Sequence, residues 1–100
     1  MKNEDFIAYV GDSDIHDAVI EAIFYEGMRA EVTLSALNGR ELKIQFSDVH
    51  RIESLQPIRM ILYALIEMRC QSPYRRFVFG NSDDNDPSSL VIEAKDFSLA

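Results

Sequence analysis

One cysteine, Cys70, is all the thiol chemistry in a chain of 100 residues. No internal disulfide can form, so the fold must rest on its core. A chain of this length removes roughly more than half of its unfolded surface from water, which is enough for one unstapled domain spanning residues 1–100. Long apolar runs are also missing: the longest, Met60 to Ile66, falls far short of the roughly 20 residues that span a bilayer. Near the N-terminus no apolar signal core stands out, and the expectation is a cytoplasmic protein. Basic residues are scarce, with 10 Lys plus Arg against 17 Asp plus Glu and a formal charge of -7. That balance disfavours nucleic acid and anionic membranes as partners. Glycine is scarce too, and none of the 4 glycines builds a phosphate-cradling loop.

The acid is unevenly placed. Glu4, Asp5, Asp12, Asp14, Asp17, Glu21 and Glu26 face only Lys2 in the first quarter of the chain. This asymmetry suits the steering of a basic partner, and equally suits plain solubility.

Among the segments that are well patterned, Pro57 to Cys70 predicts a helix, with Pro57 in its first turn and Ser72-Pro73 ending it. At 100° per residue Ile58, Ile61, Leu62, Leu65 and Met68 form one apolar stripe, opposite Arg59, Tyr63 and Glu67. Met60, Ala64 and Ile66 are surplus apolar surface on its flanks. Strands are expected at Phe6 to Val10 and at Ile15 to Tyr25, the latter apolar on both faces and so central. Met28 to Ala36 and Leu42 to Phe46 alternate cleanly about Asn38-Gly39, which predicts a hairpin with a tight primed turn. Arg75 to Gly80 and Ser89 to Ala94 predict a second hairpin across a turn-rich acidic loop. The expected fold class is α+β: an antiparallel sheet of about five strands, in the order strand, hairpin, helix, hairpin, with the 57–70 helix packed on it.

Catalytic and metal constellations are not apparent. Asp12, Asp14 and His16 project to one side of an extended strand, but the further ligands of a metal site are not visible. The loop from Asn81 matches a calcium hand at Asn81, Asp83 and Asn85, then departs from it at Asp86 and Ile92, losing the sharp turn and the bidentate ligand. Ser47, Asp48 and His50 lack the setting of a nucleophile, and Cys70 at a helix end has no activating dipole. Arg75-Arg76 beside Phe77 and Phe79 imitates an RNA-binding face, against which the overall charge argues.

The runs Ile15-His16-Asp17-Ala18-Val19-Ile20, Gly39 to Val49 and Met60 to Met68, followed by Arg75-Arg76-Phe77-Val78-Phe79, resemble a family of small uncharacterised bacterial proteins. In that family a His-Asp-small strand precedes a hairpin ending in Phe-x-x-Val. The resemblance covers most of the chain and implies no activity; some similar acidic proteins are thought of as immunity or accessory partners.

Together these readings point to a non-catalytic protein-interaction or accessory module, with no cofactor and with another protein or a second copy of itself as partner. The expected interaction surface is Met60, Tyr63, Ala64, Ile66 and Glu67. The alternative is a small-ligand or metal-binding domain with a pocket between helix and sheet, using His16, His50, Arg75 and Arg76.

Overall fold

A computed structural model describes residues 5–99. The described residues form nine strands: β1 (Phe6–Val10), β2 (Val19–Glu26), β3 (Arg29–Ser35), β4 (Glu41–Ser47), β5 (Arg51–Leu55), β6 (Leu62–Met68), β7 (Arg75–Asn81), β8 (Ser89–Ala94) and β9 (Asp96–Leu99). One 3-10 turn, Ser13–Ile15, is the only helical element among them. Strands β1-β6-β7-β8-β5 make a five-stranded sheet and β2-β3-β4-β9 a four-stranded one, all neighbours antiparallel.

The chain passes directly from one sheet to the other at two places. β4 runs into β5 through a bend at Asp48, whose φ is 54, and β8 runs into β9 through Lys95. At that corner Val49 N–H donates to the Met28 carbonyl (2.9 Å) and Lys95 N–H to the Ser47 carbonyl (3.2 Å). On the opposite side the start of β2 is bonded to the approach to β6: Ile20 N–H donates to Met60 (3.0 Å) and Leu62 N–H to Ala18 (2.8 Å). Joined along both sides, the sheets form a flattened, split barrel about one core.

Alternation fills that core. Val32, Leu34, Ile44 and Phe46 enter from the four-stranded sheet; Leu62, Leu65, Phe77, Phe79, Leu90 and Ile92 enter from the other. Phe46 sits at the centre, its ring centroid 5.2 Å from Phe77, 6.0 Å from Phe79 and 6.3 Å from Phe97.

The expected helix at 57–70 does not exist, and with it goes the α+β class: the fold is all-β. Pro57 opens a tight turn, closed by the Met60 N–H on the Pro57 carbonyl (3.1 Å), and the chain then extends into β6. The helical spacing arose from a β-bulge. In β6 the register against β7 slips between Leu62 and Ala64, so Tyr63 is an extra residue. The slip puts Leu62 and Leu65 three apart on the same inward face, imitating a helical period. Ile58 and Ile61, also assigned to the stripe, are exposed, and Met68 is half-buried.

Two smaller expectations are also corrected. β2 is an end strand of its sheet and not a central one; Phe24 and Tyr25 stand exposed on it, and beyond β3 its start is bridged, among the described residues, by Val19 to Ile61. The β3–β4 hairpin turns through Leu37, Asn38 and Gly39 instead of a two-residue primed turn. The Gly39 N–H donates to Ala36 (2.9 Å) and Gly39 takes φ 87, the left-handed position after a simple turn that glycine fills at no steric cost.

Candidate functional site

The outward face of the five-stranded sheet breaks the usual rule that a solvated face is polar. Two register rows cross it. One runs Tyr9–Ile66–Val78–Val91–Glu53 and the other Phe6–Met68–Arg76–Glu93–Arg51. In the first row four successive side chains are apolar. Phe6 and Tyr9 meet edge to face at 5.1 Å at one end of the rows. The bulge adds Tyr63, which lies over Gly80: a Cβ there would come within 2.7 Å of the tyrosine ring. Tyr9 is 66% exposed and Tyr63 is exposed as well, while Ile66, Val78 and Val91 between them are half-buried.

Where the second row meets β8 the face becomes charged. Glu93 is only 5% exposed although it points outward. It is covered by its partners: Arg76 donates through Nε (2.7 Å) and the His50 ring nitrogen Nε2 lies 2.7 Å from the other carboxylate oxygen. Tyr74 stacks on His50 with centroids 3.9 Å apart and planes 6° from parallel. On its part Lys95 brings its ammonium to 5.9 Å from the Tyr74 centroid, within cation–π reach. Arg51 adds a further positive charge beside Glu53, with which it is paired.

The other sheet presents a groove of about 590 Å³ lined by Phe24, Glu26, Arg29, Glu31, Gln45 and Asp96 among others. A smaller one of about 380 Å³ lies where β1, the 3-10 turn and β6 meet, between Tyr9, Asp12, His16 and Tyr63. Neither contains a chemical constellation. Among the described residues no group of three or more His, Cys, Asp and Glu side chains is placed to hold a metal. Asp12 and Asp14 both pair with Arg40, at 2.9 and 3.3 Å. In the 81–88 loop the Asn81 and Asp83 side chains accept from the backbone two residues on, as turn-forming residues do. No described helix is long and apolar enough to cross a membrane.

No family model and no curated protein matches the chain. A solved structure does: an uncharacterized protein from Neisseria gonorrhoeae, with a TM-score of 0.63, 12% identity, and coverage of 84% of this chain and 90% of that one. At that identity the likeness establishes the fold alone. The neighbour is itself uncharacterised, so it adds no activity to the sequence resemblance.

The residues singled out from sequence are distributed as follows. Of the expected interaction surface, Tyr63, Ala64 and Ile66 lie on the outward face, whereas Met60 (2% exposed) and Glu67 (7% exposed) point into the core. Period-two geometry explains the split, since Ile66 and Glu67 are neighbours in a strand. The alternative site does not assemble, and without a helix the pocket proposed for it is absent. His50 and Arg76 converge on Glu93, but Arg75 points inward to Glu67, and His16 bonds the Tyr63 carbonyl through Nδ1 (3.0 Å). Sequence reasoning missed Tyr9, Val78, Val91, Tyr74 and Glu93. A signal was present for two of them: Phe77-Val78-Phe79 and Leu90-Val91-Ile92 are apolar on both faces of their strands.

The paired carboxylates set the acid limit. The Arg75 hydrogen bonds hold Glu67 below its ordinary 4.5, against the opposing effect of burial. For Glu93 burial pushes upward, and the bonds from Arg76 and His50 outweigh it, again leaving the group lowered from 4.5. A carboxylate depressed on folding contributes stability that is complete above the unfolded value and disappears as pH falls through the folded one. The urea midpoint is therefore expected to stay level down to about pH 5 and to drop steadily below about pH 4.5. A midpoint that rises on acidification would contradict these pairings.

Proposed function

We propose that the chain is a non-catalytic protein-interaction module whose binding surface is the outward face of the five-stranded sheet. The row Tyr9–Ile66–Val78–Val91 carries the reading: four apolar side chains in register across β1, β6, β7 and β8, with Phe6 and Tyr63 at its margins. Isolated exposed apolar residues need no explanation, but a contiguous row on a rigid sheet is how a partner surface is built. Tyrosine and phenylalanine suit such a role, offering large contact area at little entropic cost. The resemblance of the sequence motifs to small acidic bacterial proteins thought of as accessory partners is in keeping with it.

Val78→Lys places a charge in the middle of the row without touching the core. A tagged wild-type chain is expected to retain a specific partner, or to dimerise in light scattering, and the variant to lose that association by about tenfold or more while its melting temperature and circular dichroism stay close to wild type. A wild-type chain that stays monomeric and retains nothing that the variant does not also retain would end this reading.

A further inference from the structure

Resting on that reading, we propose that the partner of this face is an acidic–apolar polypeptide segment: apolar side chains lie along the Ile66–Val78–Val91 row and an adjacent carboxylate is received by Arg76, Lys95 and Arg51.

The chain carries a formal -7, yet Arg76 and Arg51 lie in the row beside the β7–β8–β5 part of the apolar row, with Lys95 near Tyr74 at the same side. Arg76 and Arg51 flank Glu93 in the row Arg76–Glu93–Arg51, and Lys95 reaches the same corner through Tyr74. Two carboxylates, Glu93 and Glu53, offset part of this charge, and neither closes the corner to an anion. Glu93 is spent: one oxygen takes Arg76 Nε and the other meets His50 Nε2, both at 2.7 Å. Arg76 is not. Only its Nε is used, and its two terminal nitrogens have no protein partner among the described residues.

Glu93 thus anchors the guanidinium through Nε, while 39% of the Arg76 side-chain surface stays exposed. A guanidinium held in this way loses little entropy on receiving a carboxylate, and its planar fork matches that ligand. The stacked His50–Tyr74 pair walls the same corner, with the Lys95 ammonium 5.9 Å from the Tyr74 centroid. The spacing completes the case: Arg76 lies one register row from Val78 on the same face, and adjacent outward residues of one strand are roughly 7 Å apart. One extended segment can therefore place an apolar side chain over Val78 and an acidic one on Arg76.

A random dodecapeptide display library panned on the full-length chain, followed by anisotropy titrations of the enriched peptides, tests this. Enriched sequences are expected to pair Asp or Glu with nearby apolar residues. Their binding should weaken by about tenfold in Val78→Lys and in Lys95→Glu, more modestly in Arg76→Lys, which keeps the charge beside Glu93 but loses the fork, and in raised salt. Glu31→Lys, on the opposite sheet, should leave it within about twofold. Peptides that need Val78 but are neutral or basic, or that are indifferent to Lys95→Glu and Arg76→Lys, would overturn the acidic partner and leave the apolar face standing. If no peptide is enriched, or binding is indifferent to Val78→Lys, the face itself is refuted and this inference falls with it.

Discussion

Phe46→Ala is expected to cost about 3–5 kcal/mol and to lower the melting temperature by about 12 °C or more. Phe46 is 1% exposed and is the ring on which both sheets converge, touching Phe77 and Phe79 from one sheet and Phe97 from its own. Truncation removes the transfer free energy of the ring and leaves a void that the surrounding rings cannot close, because they are fixed on the backbones of β7 and β9. A domain of this size has about 5–15 kcal/mol in total, so the variant sits near the edge of folding. Phe46→Leu, which leaves most of the volume filled, is expected to lose clearly less. Urea and thermal unfolding of the two variants measure this. A loss under about 1 kcal/mol for the alanine variant would mean that the two sheets do not meet at this ring.

Arg75→Ala is expected to cost about 2–3 kcal/mol, whereas the double variant Arg75→Met with Glu67→Leu should come within about 1 kcal/mol of wild type. Arg75 reaches into the open end of the core and donates to Glu67 through both Nε and Nη2, each at 2.8 Å. Its guanidinium also lies 5.2 Å from the Phe77 centroid and 5.4 Å from that of Phe97. Removing the arginine alone strands a buried carboxylate. Removing both charges restores an apolar contact at a site whose neighbours are aromatic. The expected single-variant cost lies below the usual range for a fully buried pair because Arg75 remains about a third exposed. Equal urea midpoints for the single and double variants would show that Glu67 is not stranded by the loss of Arg75.

The sequence announced most of the strands and misplaced the element meant to organise them. Arg29 to Ser35 and Glu41 to Ser47 alternate without interruption, and period-two alternation has no competing explanation. Arg75 to Gly80 and Ser89 to Ala94 were legible as short apolar, β-branched and aromatic runs on either side of a turn-rich loop. Pro57 to Cys70 was not, because a bulge converts a two-residue period into a three-residue step and a proline-opened turn looks like a helix start. The error then propagated to the site. On a helix Met60, Ala64 and Ile66 flank the stripe of Arg59, Tyr63 and Glu67, while in the extended chain Met60 and Glu67 are buried and Tyr63, Ala64 and Ile66 turn out. Glu93 was invisible for a different reason. Nothing local marks it; its burial depends on His50, from the bend before β5, and on Tyr74 and Arg76, from the entry to β7.

The strands that pass from one sheet to the other also dictate an order of events at the ribosome. β2, β3 and β4 emerge early and can pair at once, but their sheet stays without its fourth strand until residues 96–99 appear, and its apolar side has nothing to cover it until β6 to β8 are made. Until then the β2–β4 ribbon has an uncovered, alternating apolar side. At the tip of that same ribbon Arg40 is clamped by Asp12 and Asp14, so the segment ahead of β2 is tied by charge to the β3–β4 turn.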